Sequence, residues 1–230
     1  MEPLHPRDLL KAMMFSALVT IGAITASYAI ADVGPPVVAV TDSDGNRNCS
    51  AVVVAPGTAY TARHCTSAGM KVQQNGKLLD VPPATVSTSV VDAAVLHVPG
   101  LTCPCATPSD RLPAVGVEVT VVGFSDGGER QVKQAKVIHV GSPNDLPEYK
   151  DKRNFGLDYA HILYFPAVLA TGDSGGGTFV KRADGWHLVA INTIGVPDPK
   201  TFNPMAAMYG VPQTEIASGS VPVSWHMGMQ

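Results

Sequence analysis

Charge is scarce in this chain: Asp, Glu, Lys and Arg together make up 15% of 230 residues, and the formal net charge at neutral pH is -3. No run of Lys or Arg appears. Nothing therefore argues for a nucleic-acid partner, whose phosphates would call for clustered cations. Aromatic residues are few, at 6%. Beyond residue 31 no long window sustains a 3.6-residue hydrophobic period, which excludes a chain built from long amphipathic helices. No internal repeat or low-complexity tract occurs. What the chain does have is 45% hydrophobic residues, 22 Gly and 19 Pro. That mixture suits many short strands joined by turns. The length suits one domain, or two small lobes sharing a site.

The N-terminal segment stands apart. Ala12 to Ala31 carries no charged side chain, and Arg7 and Lys11 precede it. Ser27-Tyr28-Ala29-Ile30-Ala31 offers small-x-small cleavage sites after Ala29 and after Ala31. Residues 1–31 are thus expected to be a signal peptide. An uncleaved membrane anchor is the competing reading, because the segment is about long enough to span a bilayer. Either way residues 32–230 are exported. The expected location is secreted, periplasmic or cell-envelope, where disulfides persist.

Along the exported part, strand signals recur about every ten residues. Val37–Val40 reads as a lead-in strand, and Cys49–Ala55 is a β-rich run stopped by Pro56-Gly57. Asn75-Gly76 marks a hairpin between Lys71–Gln74 and Lys77–Val81, and Asp184-Gly185 marks another between Gly177–Lys181 and Trp186–Ile194. Ala93–Val98, Val117–Phe124, Gln131–Val140 and Met205–Val211 are further strand candidates. Asn144–Asn154 reads as a polar surface loop. The set points to a β-barrel or sandwich.

Three separated segments carry reactive side chains: Thr61-Ala62-Arg63-His64-Cys65, Val91-Asp92-Ala93-Ala94-Val95-Leu96 and Thr171-Gly172-Asp173-Ser174-Gly175-Gly176-Gly177. Nucleophilic acyl transfer needs a hydroxyl, a base to take its proton, and a carboxylate that orients the base. It also needs backbone N–H groups aimed at the developing oxyanion. Glycines around a serine let the backbone fold tightly enough to aim them. Each segment alone has a plainer reading, as a packed histidine, a turn aspartate or a simple glycine turn. Their joint occurrence in the order His, Asp, Ser is far more specific. Gly172-Asp173-Ser174-Gly175-Gly176 also satisfies the G-x-S-x-G elbow of α/β-hydrolases. That fold needs a helix after the serine and a histidine later in the chain. Here strands follow the serine, and of the later histidines His187 lies within a strand pattern, leaving His226.

Thr-Ala-Arg-His-Cys resembles the T-A-A-H-C box of chymotrypsin-like serine peptidases. Asp-Ala-Ala-Val-Leu is similar to their D-I-A-L-L box, and Gly-Asp-Ser-Gly-Gly-Gly to their G-D-S-G-G-P box. The resemblance runs from about Val37 to Val211. It implies an all-β fold of two six-stranded antiparallel β-barrels with the active site between them. It implies His64 as base, Asp92 as its orienting carboxylate and Ser174 as nucleophile, with the N–H groups of Gly172 and Ser174 as the oxyanion hole. It further implies a disulfide between Cys49 and Cys65, worth roughly 3 kcal/mol for a loop of this size. The implied partner is a protein or peptide substrate, cut as an endopeptidase cuts. No cofactor or metal is called for, and oligomeric state is left open. Cys103-Pro104-Cys105 has no counterpart, and reads as a local disulfide or two free thiols.

Departures from the family pattern matter as much. Val168 stands six residues before Ser174, where trypsin-like enzymes place a cation-binding aspartate. Thr193-Ile194-Gly195 replaces the S-W-G segment that pairs with the substrate backbone. These substitutions imply a small or medium apolar residue before the cut, not a basic one. Asp173 is the residue that, in much of the family, pairs with an N-terminal amine freed by cleavage after a basic residue. No Lys or Arg lies between Lys11 and Arg47. Either signal peptidase frees Ile30 or Asp32 for that role, or Asp173 finds an internal partner. Gln213–Ala217 could form one helical turn, but Gly219 and Pro222 oppose a long C-terminal helix.

Overall fold

The computed structural model describes residues 34–89, 91–142, 145, 161–198, 200, 203 and 214–229. The N-terminal segment read as a signal peptide or anchor lies outside these, as do the strand candidate Met205–Val211 and most of the Asn144–Asn154 loop. No helix among the described residues is long and apolar enough to cross a membrane. Residues Gly34–Gln230 form one compact unit.

That unit is nearly all β and consists of two lobes, the double-barrel architecture that the resemblance implies. The first lobe contains β1 (Val37–Thr41), β2 (Arg47–Ala55), β3 (Thr58–Thr61), β4 (Lys71–Gln74), β5 (Lys77–Asp80), β6 (Val86–Thr88) and β7 (Ala94–His97). Their order in the sheet is β5-β4-β1-β2-β3-β7-β6, a half-barrel with β5 and β6 at its edges. The second lobe contains β9 (Glu118–Gly123), β10 (Gln131–Gly141), β11 (His161–Phe165), β12 (Gly177–Arg182), β13 (Gly185–Pro197) and β14 (Glu215–Pro222). They run β12-β9-β10-β11-β14-β13, and the β12–β13 pairing closes this lobe into a six-stranded barrel. A two-residue strand, β8 (Thr107–Pro108), adds in parallel to β13.

The hairpin signals were correct. Asn75 and Gly76 both have positive φ, 51° and 76°, which is what a tight hairpin turn between β4 and β5 needs. β2 reads as a continuous apolar run because it is buried on both faces. Its alternation sends Ala51 and Val53 into the first lobe's core beside Val40 and Leu96. Val52 faces the other way, packing with Tyr60 and Val95 against Phe179, Leu188 and Ile191 of the second lobe. This shared apolar layer joins the lobes. β14 was not legible as a strand, since its Ala-Ser-Gly-Ser centre has poor β-propensity. It forms because β11 and β13 pair with it on both sides. The one-turn helix near the C-terminus, α1 (Ser224–Met227), follows β14 instead of replacing its start.

Candidate active site

β3 ends at Thr61, and a short 3-10 turn, Arg63–Cys65, carries His64 away from it. The Cys49–Cys65 disulfide ties that turn to β2 across a Cα separation of 5.9 Å. Asp92 lies in the bend before β7, and β7 pairs with β3. Two adjacent strands thus deliver the imidazole and the carboxylate to one place. The His64 backbone N–H donates to Asp92 Oδ1 at 2.9 Å, and ring Nδ1 lies 2.6 Å from Asp92 Oδ2. With a carboxylate as acceptor, Nδ1 carries the proton, so Nε2 of the neutral ring keeps a lone pair. The Asp92 side chain is 13% exposed, whereas that of His64 is 47% exposed. Burial alone pushes the Asp92 carboxyl up. The hydrogen bonds and charge of His64, with the charge of Arg63, outweigh burial and hold it below the usual carboxylate range. Asp92 is therefore ionised at neutral pH.

Ser174 comes from the second lobe, on the glycine turn before β12. The turn needs glycine for steric reasons. Gly172 and Gly175 have φ of 91° and 81°. A Cβ at Gly172 would collide with the Phe124 carbonyl, and one at Gly175 with the Ser50 carbonyl and the Thr61 hydroxyl. The carbonyls of the turn are tied back. Thr171 O accepts from Asp126 N–H at 2.5 Å, and Asp173 O accepts from Gly176 N–H at 3.0 Å. A trans peptide points its N–H opposite its C=O. The N–H groups of Gly172 and Ser174 therefore face the other way, and neither donates within the described residues. Ser50 locks this arrangement to the first lobe. Its N–H donates to Ser174 O at 2.7 Å, and its hydroxyl donates to Gly172 O at 2.7 Å while accepting from Phe124 N–H at 3.0 Å. Cys65 Sγ lies 3.5 Å from Ser174 O, which brings the histidine turn against the serine turn. No hydrogen bond joins Ser174 Oγ to His64. Catalytic hydrogen bonds in free enzymes are often longer than in the substrate complex.

Asp173 is buried, at 1% exposed. Its partner is internal: Lys133 Nζ on β10 lies 2.6 Å from Asp173 Oδ2. Ser125 Oγ and the Ala170 N–H complete the shell around the carboxylate at 2.9 Å each. The candidate substrate groups fall as follows. Val168 is half-buried and leans on the second barrel's core, and its N–H donates to Ser218 Oγ at 2.9 Å. Thr193 is buried at a bulge in β13, its hydroxyl donating to Gly219 O at 3.2 Å. Ile194 packs with Leu163, Val196 and Ala217. Gly195 is overlain by the Glu215 carboxylate, which would collide with any Cβ there. Burial pushes the Glu215 carboxyl above the usual range.

Ser50, Lys133 and Glu215 escaped the sequence reading. Of these, Lys133 had a usable signal. Lys133, Ala135 and Val137 share the inward face of β10, so a charge there interrupts an apolar pattern and asks for a buried partner. Cys49, His64 and Cys65 also bring possible metal ligands within 4.8 Å of one another. Both sulfurs are spent in a disulfide, so neither is the thiolate that metal binding needs. Cys103 and Cys105 form the second disulfide, at a Cα separation of 4.6 Å.

A two-lobed β fold that sets an imidazole–carboxylate pair beside a glycine-rich serine turn is the architecture of chymotrypsin-like peptidases. A model of the trypsin-like peptidase domain matches residues 49–191, more than half of the chain, and the chain belongs to that family; it is a serine endopeptidase of the trypsin-like type. Among solved structures, the inactive form of the Rv3671c protease shares 17% identity at a TM-score of 0.60, covering 85% of this chain and 87% of that one. The active form of the Rv3671c protease from M. tuberculosis shares 18% identity at a TM-score of 0.62, covering 85% and 79%. The HtrA-type protease AlgW, solved with a tripeptide, shares 19% identity at a TM-score of 0.61, covering 86% and 59%. At such identities the similarity speaks for the fold alone. No curated protein sequence matches the chain.

Proposed function

We propose that this chain cleaves peptide bonds by a triad of His64, Asp92 and Ser174. Ser174 Oγ attacks the scissile carbonyl carbon while His64 Nε2 takes its proton. The carbonyl oxygen becomes an oxyanion held by the N–H groups of Gly172 and Ser174. Asp92 stabilises the imidazolium, which then protonates the leaving amine as the C–N bond breaks. Water, deprotonated by His64, releases the acyl group and restores the hydroxyl. The observation that carries this reading is the pair of undonated N–H groups of Gly172 and Ser174, with the carbonyls of the same two peptides tied back. A fluorophosphonate probe tests it. Wild type is expected to be labelled and Ser174→Ala not at all; absence of labelling on folded, correctly processed wild type refutes it.

The residue before the cut is proposed to be small or medium and apolar. Val168 offers no charge to a cation, and the Glu215 carboxylate over Gly195 narrows the cleft. In a peptide-library digest, Glu215→Ala should widen the accepted residue toward larger apolar side chains; an unchanged profile would remove Glu215 from the specificity wall.

Export to an oxidising compartment (secreted, periplasmic or cell-envelope) is proposed from the charge-free Ala12–Ala31 segment and is supported by two disulfides. Residues 1–31 would serve as a cleaved signal or as an anchor. N-terminal sequencing of the mature protein separates these.

A further inference from the structure

Asp173 is a carboxylate with almost no access to water, and it sits between the two N–H groups assigned to the oxyanion hole. An uncompensated charge there would be expelled toward solvent, dragging the turn with it. We propose that Lys133 is the positioning residue that assembles the oxyanion turn from within the fold, so that catalytic competence does not depend on a freed amino terminus. This rests on the peptidase reading above.

The geometry of the ammonium group carries the inference. Lys133 Nζ has three hydrogens, and three acceptors surround it: Asp173 Oδ2 at 2.6 Å, Ser125 Oγ at 2.7 Å and Val168 O at 2.8 Å. Those acceptors belong to three different parts of the site. Asp173 is in the nucleophile turn, and Val168 is in the loop leading to the substrate pocket. Ser125 follows Phe124 and precedes Asp126, whose N–H holds the Thr171 carbonyl. One cation thus ties together three segments around the Gly172 and Ser174 N–H groups, while Ser50 holds the same turn from the first lobe.

Among the described residues, the Asp173 carboxylate already has its partners. Asp173 Oδ2 also accepts from Ala170 N–H, and Oδ1 accepts from Ser125 Oγ. Gly123 lies so close that a Cβ there would collide with the Asp173 side chain. The Lys133 backbone is held in a ladder, opposite Val121 of β9, and its side chain is 24% exposed. A terminal amine would have to displace an ammonium already at its full complement of hydrogen bonds.

The test uses the full chain with a hexahistidine tag ahead of Met1, its uncut state checked by intact mass. Uncut wild type should react with a fluorophosphonate probe at Ser174. Lys133→Met keeps the length of the side chain and loses the charge. It should lower the labelling rate and kcat by about 100- to 1000-fold, the scale of losing an oxyanion donor, with KM changed much less. Lys133→Arg should recover part of the rate. Near-UV circular dichroism confirms that the variants fold. Should Lys133→Met not fold, Ser125→Ala takes its place, with kcat lowered about tenfold for one hydrogen bond to a charged group.

A folded Lys133→Met, or Ser125→Ala in its stead, that labels at the wild-type rate overturns the proposal. So does a wild type that is inert uncut and labels once its N-terminus is cleaved. A wild type that labels in neither form defeats the peptidase reading itself, a different and recognisable result.

Discussion

At the scale of single residues, the site depends on positions where backbone and side-chain chemistry cannot be exchanged. Gly172 is the clearest. Its φ of 91° disfavours any L side chain, and its missing Cβ makes room for the Phe124 carbonyl. Gly172→Ala should rotate the peptide that presents one of the two proposed oxyanion donors. We expect a folded protein with kcat about 100- to 1000-fold lower and KM little changed, read by steady-state kinetics on a peptide amide. A variant with unaltered kcat would remove the Gly172 N–H from the mechanism. The proposed triad of His64, Asp92 and Ser174 could be suggested from sequence because each residue sits in a short motif with a chemical reason for its neighbours. Ser50 was not, since a serine inside a β-run carries no sign of which carbonyl its hydroxyl will meet. Only the approach of the second lobe puts Gly172 O beside it.

At the scale of elements, α1 shows how a short segment is held and how pH acts on it. His226 is fully buried, stacks on Tyr60 with ring centroids 5.1 Å apart, and donates through Nε2 to Thr61 O at 3.0 Å. Burial pushes its pKa down to about 4, from an ordinary 6.5. The folded state therefore resists protonation that the unfolded chain accepts. Between pH 6.5 and 4 the unfolded state binds more protons, so stability falls as pH falls through that window. It is full above the window and levels off below it. The shift corresponds to about 3 kcal/mol across the window. Thermal melting from pH 7 to 4 should show this slope, and His226→Phe should flatten it; a slope unchanged in the variant would place the acid sensitivity elsewhere. The strands divided by legibility in a physical way. β2, β9 and β13 are rich in β-branched residues and announced themselves. β14 is held by its neighbours, and its small residues suit a strand crowded by Ile194 and Leu163, both of which a Cβ at Gly219 would meet.

At the scale of the whole molecule, the site exists only while the two lobes are joined. His64 and Asp92 belong to the half-barrel, and Ser174 belongs to the closed barrel. The apolar layer built on Val52, Tyr60, Val95, Phe179, Leu188 and Ile191 sets their spacing. Phe179 is fully buried in that layer. Phe179→Ala should cost about 3–5 kcal/mol and lower the melting temperature by about 10 °C. Activity should be lost at a lower temperature than far-UV ellipticity, because loosening the layer separates His64, the proposed base, from Ser174, the proposed nucleophile, before the strands melt. Coincident loss of both signals would mean that the lobes unfold as one.

The sequence by itself determined the chemistry available and the class of fold. Turn glycines, β-branched runs and three motifs in order are local facts, readable wherever a few neighbouring residues decide the outcome. Tertiary structure decided which charges meet. Forty positions separate Lys133 from Asp173, and nothing local to either names the other. Electrostatic partnership in a buried site depends on which strands become adjacent after the barrel closes, and that follows from the packing of the whole chain.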